Sequence, residues 1–457
     1  MSDLQNVLNH LDSDRENALE RLFEFLRIES VSTDPAYAEA CVDAADWLVK
    51  DLQSIGFEAS RRDTSGHPMV VAHSGGTGPR ILFYGHYDVQ PVDPLELWDR
   101  APFDPALEET TQGTVIRARG ASDDKGQLMT FLEACRAYKA VTGSLPVNIT
   151  ILSEGEEESG SPSLIPFLHE NAEELKAEFA LVCDTGLWDK DTPAITTMLR
   201  GMVSEDFTIT AADKDLHSGL YGGAAINPIR VLTKLLAGLH DETGRVTLPG
   251  FYDGVAELPE ELASQWQSMQ FDGAAFLAGV DLSVPAGEDG YSVLEQIWAR
   301  PTCDVNGIWG GYTGAGFKTV LPAEASAKVS FRLVGDQDPN AIQTTFRAYL
   351  EAGLPADCAI SYRDKDGAFA TNMPITADYF AKSRQALSDE WPNDAVYVGM
   401  GGSIPIVGHF QSILGMNSVL IGFGLEDDQI HSPNEKYNLT SFRRGARSWA
   451  RILAALS

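Results

Sequence analysis

The sequence predicts an α/β protein whose mostly parallel sheet is sandwiched by helices, with a second α+β domain inserted into it. Short apolar runs alternate with segments of helical periodicity over residues 1–199, which is typical of a parallel sheet with helices on both faces. Residues 200–373 instead show strands of alternating polarity and two amphipathic helices. The first pattern returns over residues 374–457, so the middle segment is predicted to be an insertion.

The first segment contains most elements of the predicted parallel sheet. Its helices have apolar residues at helical spacing, with Pro35 in the break between the first two, and its strands are short apolar runs. In chain order, the predicted elements are helices at 13–28 and 38–55, strands at 69–72, 81–84 and 114–118, a helix at 126–140, a strand at 148–152, a helix near 162–175 and a strand at 179–182.

The middle segment has an order like β-α-β-β-α-β, which suits a small antiparallel sheet with two helices on one face. Its predicted elements are a strand at 203–211, a helix at 227–240, a long stretch containing Gly and Pro at about 244–300, a strand at 327–334, a helix near 339–353 and a strand near 358–363. In the last segment, the predicted elements are a helix at 375–387, strands near 395–398 and 418–423, and a helix from 440.

Composition and charge exclude several classes of function. The 457 residues include 66 Asp and Glu against 34 Lys and Arg, a net charge of −32, and no basic cluster that would displace counterions from nucleic acid. No apolar run is long enough to span a bilayer, and the acidic N-terminus lacks the pattern of a secretory signal. The five cysteines are scattered and form no CxxC pair, so they are predicted to be reduced thiols of a cytoplasmic protein.

Residue types that bind metals follow the ends of predicted strands. The strand at 81–84 leads into His86 and Asp88, and the strand at 148–152 leads into SEGEEESGS, which contains Glu157 and Glu158. Ligands of open α/β sheets bind just beyond the carboxyl ends of the strands. Carboxylates gathered there repel one another unless a cation holds them. Alternatively, this glutamate-rich stretch is a solvated acidic turn.

Further segments are expected to bring such residues to the same edge. Asp123 and Asp124 lie between a predicted strand and a helix, Asp184 follows another strand, and His431 lies in a loop after a later one. Taken singly, these residues have simpler interpretations, such as an Asp that caps a helix or a solvated loop His. Together, two His and several carboxylates with no thiol suit one or two divalent ions such as Zn or Mn. Two ions that share a carboxylate can polarise a carbonyl and generate hydroxide at neutral pH.

The ordered set of motifs resembles the two-metal aminoacylase, glutamate carboxypeptidase and dipeptidase family, and within it the carnosinase-like cytosolic dipeptidases. The motifs that carry the resemblance are FYGHYDVQPV, RGASDDKGQ, SEGEEESGS, CDTG, KDLHSGLYGG, GAGFKTVLP, SFRLV, GGSIP and IHSPNEKYN. The resemblance covers roughly residues 80–437 and implies a zinc-peptidase-like catalytic domain with an inserted lid and dimerisation domain. The domain boundaries are then expected at 1–199, 200–373 and 374–457.

The resemblance implies a role for each residue of the predicted metal site. Two divalent ions, Zn or Mn, are expected in each subunit. Glu157 would be the general base, Asp88 would orient the ring of His86, and the peptide between Asp123 and Asp124 is expected to be cis. The metal ligands that the resemblance implies are His86 and Asp184 for one ion, Glu158 and His431 for the other, and Asp123 as a bridge between the two.

The same resemblance assigns residues of the inserted domain to substrate binding in a homodimer. His217 would reach the site of the partner subunit and stabilise the oxyanion. Thr319, Arg332 and Ser403 would hold the substrate's carbonyl and C-terminal carboxylate, and the planar guanidinium of Arg332 suits a carboxylate. Met400 stands where this branch usually has a Glu before its GGSIP motif, which leaves the substrate preference open.

The resulting prediction is a metal-dependent dipeptidase that hydrolyses small peptides with a free C-terminal carboxylate, using a metal-bridging hydroxide. An N-acyl-amino-acid amidohydrolase or desuccinylase with the same two-metal site is an alternative. A metal- or peptide-binding protein without catalysis is another, although Glu157 and all five expected ligands are present. A calcium-binding acidic loop is disfavoured by the two His, because Ca²⁺ prefers oxygen ligands.

Overall fold

The computed structural model describes residues 3–76, 78–363, 367–402 and 404–457. The chain divides into two compact units, which we call the outer unit and the inserted unit. Within the described residues, no helix has the length and apolar character needed to cross a bilayer. The outer unit comprises Met1–Thr197, Met373–Val398 and His409–Ser457, and the inserted unit comprises Met198–Asn372 and Gly399–Gly408.

The strands are numbered in chain order over the described residues. Strands β1 to β18 are Glu58–Arg62, Met69–His73, Arg80–His86, Ala106–Thr110, Gly113–Arg117, Asn148–Glu154, Phe179–Val182, Ala194–Leu199, Gly201–Thr210, Leu216–His217, Thr302–Gly310, Val320–Leu321, Glu324–Leu333, Ala359–Arg363, Thr371–Asn372, Val396–Met400, Asn417–Leu420 and Lys436–Asn438.

The α-helices are numbered in the same way. Helices α1 to α15 are Asp3–Ser13, Arg15–Leu26, Ala38–Ser54, Lys125–Thr142, Leu164–Glu170, Ala172–Leu175, Ser218–Tyr221, Pro228–Ala237, Glu260–Ser268, Gly273–Ala278, Val293–Trp298, Pro339–Ala352, Asp378–Ser388, Pro405–His409 and Leu439–Leu456.

A nine-stranded sheet forms the centre of the outer unit. Its order is β1-β2-β6-β3-β7-β17-β8-β15, and β16 also pairs with β8. The four central strands β6, β3, β7 and β17 run parallel, whereas the strands on either side pair antiparallel. Helices α4 and α15 pack together on this sheet through the rings of Phe83, Phe131 and Trp449. The predicted α/β class with a mostly parallel central sheet is confirmed. Strand β3, which lies in the parallel part of this sheet, ends in His86.

The inserted unit is built on a four-stranded antiparallel sheet of order β11-β13-β9-β14. Its main elements follow one another as β9, α8, β11, β13, α12 and β14, which fits the predicted order like β-α-β-β-α-β, although β11 was not among the predicted strands. Alternate residues of β13, among them Ala327, Val329 and Phe331, are buried in one hydrophobic core with Leu232 of α8 and Phe346 of α12. The opposite face of this sheet carries the polar residues of the same strands.

One predicted strand lies in a different sheet from the one that we expected. Strand β5, predicted at 114–118, pairs with β4 and β18 in a separate three-stranded antiparallel sheet. The expectation that Asp123 follows a strand of the main sheet is therefore wrong. Asp123 instead lies just before α4, the helix that packs on the main sheet. An apolar period of two predicts a strand but does not indicate its partners.

Several short helices were also not predicted. Helix α1 precedes the first expected helix, and the helix expected near 162–175 is divided into α5 and α6 at Asn171, whose side chain donates to the carbonyl of Phe167. Helices α9, α10 and α11 lie in the stretch at 244–300, where Gly and Pro are frequent. Helix α11 begins with a capping box formed by Ser292 and Glu295, a local signal that was readable in the sequence.

Candidate metal centre

His86 lies at the carboxyl end of β3, in the parallel part of the main sheet, and is fully buried. Its Nε2 is 3.1 Å from Asp123 Oδ1. Its Nδ1 is 3.1 Å from the backbone carbonyl oxygen of Asp88 and 3.4 Å from Asp88 Oδ1. A hydrogen bond at Nδ1 fixes the orientation of an imidazole and leaves Nε2 to bind an ion.

The side chain of Asp123 lies between two groups of possible ligands. One of its oxygens faces His86, and the other, Oδ2, is 3.0 Å from His431 Nε2. His431 Nε2 is also 3.2 Å from Glu158 Oε2. The groups are His86 with Asp123 and Asp184, and Asp123 with Glu158 and His431, and in each group the ligand atoms lie within 4.8 Å of one another.

These residues suit two cations that share a carboxylate. The donors are two imidazoles and three carboxylates, the set that Zn and Mn accept. Glu158 Oε1 is buried and has no hydrogen-bond partner among the described residues. An ion beside it would supply the missing interaction, since a buried carboxylate oxygen without a partner is costly.

Burial and the neighbouring charges shift the pKa values of several residues of the site. Burial, followed by the neighbouring Asp123, Glu157 and Glu158 carboxylates, holds the pKa of Asp184 well above its usual range, although His86 opposes this. Burial also raises the pKa of Glu157. The hydrogen bonds that His431 Nε2 donates to the carboxylates of Asp123 and Glu158 raise the pKa of His431 to about 10. Divalent cations bound among these carboxylates would offset their mutual repulsion.

The carboxylate of Asp88 contacts residues of both ligand groups. Besides its contact with His86, it accepts hydrogen bonds from the backbone N–H groups of Glu157 at 3.3 Å and Glu158 at 3.0 Å. Glu158 is held further by Gln90, whose Nε2 donates to its Oε2 at 2.7 Å. Asp88 thus orients both His86 and the turn that carries Glu157 and Glu158.

Glu435, which the sequence did not identify, holds the loop before Asp123. Its buried carboxylate accepts from the backbone N–H groups of Ser122 at 2.9 Å and of Gly120 and Asp123 at 3.1 Å. Arg119 NH1 donates to it at 2.7 Å. Because Glu435 follows His431 by four residues, it ties the loops of two ligands together. The only sequence signal was an acidic residue inside IHSPNEKYN, which could equally have been solvated.

Two other features shape the centre. The peptide bond between Asp123 and Asp124 is cis. The carboxylate of Glu156 accepts from the backbone N–H groups of His67 at 2.8 Å and Ser163 at 2.9 Å, so it anchors the turn that contains Glu157. A Cβ at Gly66 would lie 1.6 Å from Glu156 Oε1, which explains why glycine stands there.

The remaining predicted residues belong to the inserted unit. His217 is exposed at the end of β10, and its Nδ1 accepts a hydrogen bond from the backbone N–H of Gly219 at 2.9 Å. Thr319 is exposed on the neighbouring loop, and its carbonyl accepts from Ser218 at 3.0 Å. Arg332 is partly buried on β13. Ser403 lies outside the described residues. The structure thus gathers the metal-binding residues in the outer unit and His217, Thr319 and Arg332 in the inserted unit.

Comparisons with known proteins agree with a peptidase fold. The sequence profile described as peptidase family M20/M25/M40 matches residues 82–455. The Cys-Gly metallodipeptidase DUG1 of Candida albicans is 29% identical over 467 residues, which cover 97% of this chain and 96% of that protein. The Beta-Ala-His dipeptidase of Homo sapiens is 27% identical, covering 98% of this chain and 91% of that protein.

Solved structures give the same result for the fold. The di-peptidase Dug1p of Saccharomyces cerevisiae superposes with a TM-score of 0.78 at 27% identity, covering 100% of this chain and 99% of that one. The metallo-carboxypeptidase Sso-CP2 of Sulfolobus solfataricus has a TM-score of 0.79 at 30% identity, covering 96% of this chain and 99% of that one. These similarities extend over both units of the chain.

Proposed function

The chain belongs to peptidase family M20/M25/M40, and we propose that it is a dipeptidase that requires two divalent ions and acts on small peptides with a free C-terminal carboxylate. The observation that carries the proposal is the pair of ligand groups that share Asp123. Relatives that match nearly the whole chain are named as metallodipeptidases, which supports the same substrate class.

The proposed ions are Zn or Mn, two in each subunit. His86 and Asp184 would hold one, Glu158 and His431 the other, and Asp123 both. When bound, the ions would polarise the scissile carbonyl and lower the pKa of a water molecule. The mixed imidazole and carboxylate donors support these metals over Ca²⁺.

Glu157 is the proposed general base. It belongs to neither ligand group, so its carboxylate is not committed to an ion, and Asp88 fixes its backbone next to Glu158. Glu157 would take a proton from the attacking water and deliver it to the leaving amine, which requires hydrogen-bond distance to both. Arg332, Thr319 and Ser403 would hold the substrate's carboxylate and carbonyl, as the resemblance implies.

A homodimer through the inserted unit is part of this proposal, because His217 would act in the partner's site. Strand β11 is an edge strand of the inserted sheet, and Val305, Ile308 and Trp309 on it are about half exposed, at 46%, 51% and 46%. An edge strand with exposed apolar residues is a template for pairing with a second chain. These features support a second copy of this chain at β11.

The proposed location is the cytoplasm. None of the five cysteines forms a disulfide, and four of them are buried. Unpaired thiols are typical of proteins in reducing compartments.

The test is hydrolysis of a peptide panel by the purified protein after metal removal and after reconstitution with Zn or Mn. We expect cleavage of dipeptides only after reconstitution, with two ions bound per subunit. The panel includes tripeptides and N-acyl amino acids, because one similar structure is that of a metallo-carboxypeptidase. Faster cleavage of tripeptides would favour a carboxypeptidase, and faster cleavage of N-acyl amino acids would favour an amidohydrolase.

A further inference from the structure

Two arginines lie at one end of the inserted unit's sheet. Arg332 on β13 pairs across the sheet with Met202 on β9, and Arg200 lies two residues before Met202 in the chain. Side chains two residues apart in extended chain point to the same face. Arg200 is therefore a diagonal neighbour of Arg332 across the two strands. The Cα atoms of diagonal neighbours are about 7–8 Å apart, a distance that long side chains can span. Arg200 and Arg332 therefore place two guanidinium groups in one region of this face.

The acidic side chains of the described residues leave this pair without a direct ion-pair partner. Neither arginine forms a salt bridge with any of them. The acidic side chain that acts on Arg200 is the exposed Asp304, whose carboxylate accepts instead from Thr302 Oγ1 at 3.0 Å. Partial burial, and after it the charge of Arg332, lowers the pKa of Arg200 to about 10. Two cations held together without an ion-pair partner favour the binding of an anion.

Arg200 is fixed in place by the backbone of the GGSIP segment. Its Nε donates to the carbonyl of Gly401 at 3.0 Å, and its backbone N–H donates to the carbonyl of Gly402 at 3.1 Å. A Cβ at Gly401 would lie 3.0 Å from Arg200 NH2, so glycine lets this segment approach the guanidinium closely. The guanidinium uses its Nε–H group in this way, and its remaining N–H groups have no acceptor among the described residues.

We propose that Arg200 is a second cation for the C-terminal carboxylate of the substrate, acting beside Arg332. This proposal rests on the proposed function and adds to it a specificity-determining residue that was not among those predicted from the sequence. A carboxylate between the two guanidinium groups would remove their mutual repulsion and accept charge-assisted hydrogen bonds. A substrate with a neutral C-terminus would leave both charges uncompensated, so the enzyme is expected to reject it.

The experiment compares kcat/KM for Ala-Gly and for Ala-Gly amide in the metal-loaded enzyme. We expect the wild type to prefer the free acid. Arg200→Met should reduce this preference by about ten- to a hundredfold, mainly by raising KM for Ala-Gly, since hydrogen bonds to charged groups have this magnitude. Arg200→Lys keeps the charge but loses the Nε bond to Gly401, so it should retain most of the preference.

The control is Arg363→Met, which removes a guanidinium from the same sheet. Arg363 is largely exposed and lies 3.4 Å from Asp206, so we expect no change in the preference. If Arg200 only supports the fold of the GGSIP segment, Arg200→Met and Arg200→Lys will slow both substrates equally, and that result would overturn the proposal. A wild type that cleaves no dipeptide would overturn the proposed function and this inference with it.

Discussion

Glu157 and Glu158 are adjacent in the chain, but their surroundings differ. The side chain of Glu158 is 2% exposed and contacts both His431 and Gln90. Glu157 is outside both ligand groups, and burial raises its pKa. Within the described residues, the side chain of Glu157 forms no hydrogen bond with His86 or Asp123. Glu158 is therefore suited to hold an ion, and Glu157 is suited to exchange protons with water.

We expect Glu157→Gln to lower kcat by at least about 10²–10⁴, the contribution typical of a general base. Metal content should stay at the wild-type value, because Gln has the same shape and no proposed ligand is removed. The measurements are steady-state kinetics and metal analysis on the same preparation. Glu170→Gln, at an exposed position on α5, is the matched control and should keep full activity. Near-normal turnover in Glu157→Gln would remove Glu157 from the mechanism.

Glu435 is predicted to control metal affinity without touching an ion. Substitution of outer-shell residues typically weakens metal binding about 10–100-fold. Glu435→Gln leaves the buried Arg119 without its counter-charge and weakens the hydrogen bonds to Ser122 and Asp123. We therefore expect weaker metal binding, measured by competition with a chelator, together with a loss of stability of about 3–5 kcal/mol.

Two further variants separate these effects. Glu390→Gln breaks two partly buried ion pairs of the outer unit, with Arg447 and Arg451, and should reduce stability but not metal affinity. The double variant Arg119→Met with Glu435→Gln should recover stability while metal binding stays weak. Equal metal affinity in Glu435→Gln and Glu390→Gln would show that Glu435 has only a structural role.

At the scale of residues, the metal ligands at or just after strand ends could be predicted from the sequence. The residues that hold the ligand loops in place could not. His86, Glu158 and Asp184 follow strands of the parallel part of the sheet, so topology alone brings them together. Glu435 and Glu156 bond mainly to backbone N–H groups of distant loops. Those loops have no periodicity, so their conformations cannot be read from the residue pattern.

At the scale of elements, long periodic helices and fully buried apolar strands were predicted within a few residues. The C-terminal helix expected from 440 is α15, and the strand expected at 179–182 is β7 with the same limits. The errors concerned short helices, and a strand whose residue pattern suits either of two sheets. The polarity of strand β5 suits either sheet, and its pairing with β4 and β18 decides which sheet it joins.

Strand β11 is the element on which the proposed homodimer depends. Natural edge strands use Lys to oppose pairing with another chain. We therefore expect the double substitution Ile308→Lys and Trp309→Lys to convert a dimer into monomers, measured by light scattering after size-exclusion chromatography. Activity should fall in parallel, because His217 could no longer reach a partner's site.

The control for this prediction is Leu97→Lys, which alters an apolar side chain of the outer unit that is 59% exposed. It should leave the mass in solution unchanged. A wild type that is monomeric at micromolar concentration, or a double variant that stays dimeric, would contradict pairing through β11.

At the scale of the whole molecule, the dominant feature is the net charge of −32. Repulsion among so many carboxylates favours solubility but opposes the compact state. Many of these carboxylates are exposed and unpaired within the described residues, Asp213, Glu257 and Asp357 among them. Such an excess is also consistent with a salt-rich habitat, a hypothesis that the sequence suggests.

Added KCl is expected to stabilise the fold because it screens this repulsion. Between about 0.1 M and about 1 M salt the Debye length falls from about 10 Å to about 3 Å. We expect the melting temperature of the metal-stripped protein, followed by circular dichroism, to rise by at least about 2 °C, the shift that about 1 kcal/mol produces in a domain of this size. The triple variant Asp213→Asn, Glu257→Gln and Asp357→Asn should melt higher at low salt and gain less from KCl. A melting temperature that does not rise with KCl would show that other interactions outweigh the repulsion, and it would count against the habitat hypothesis.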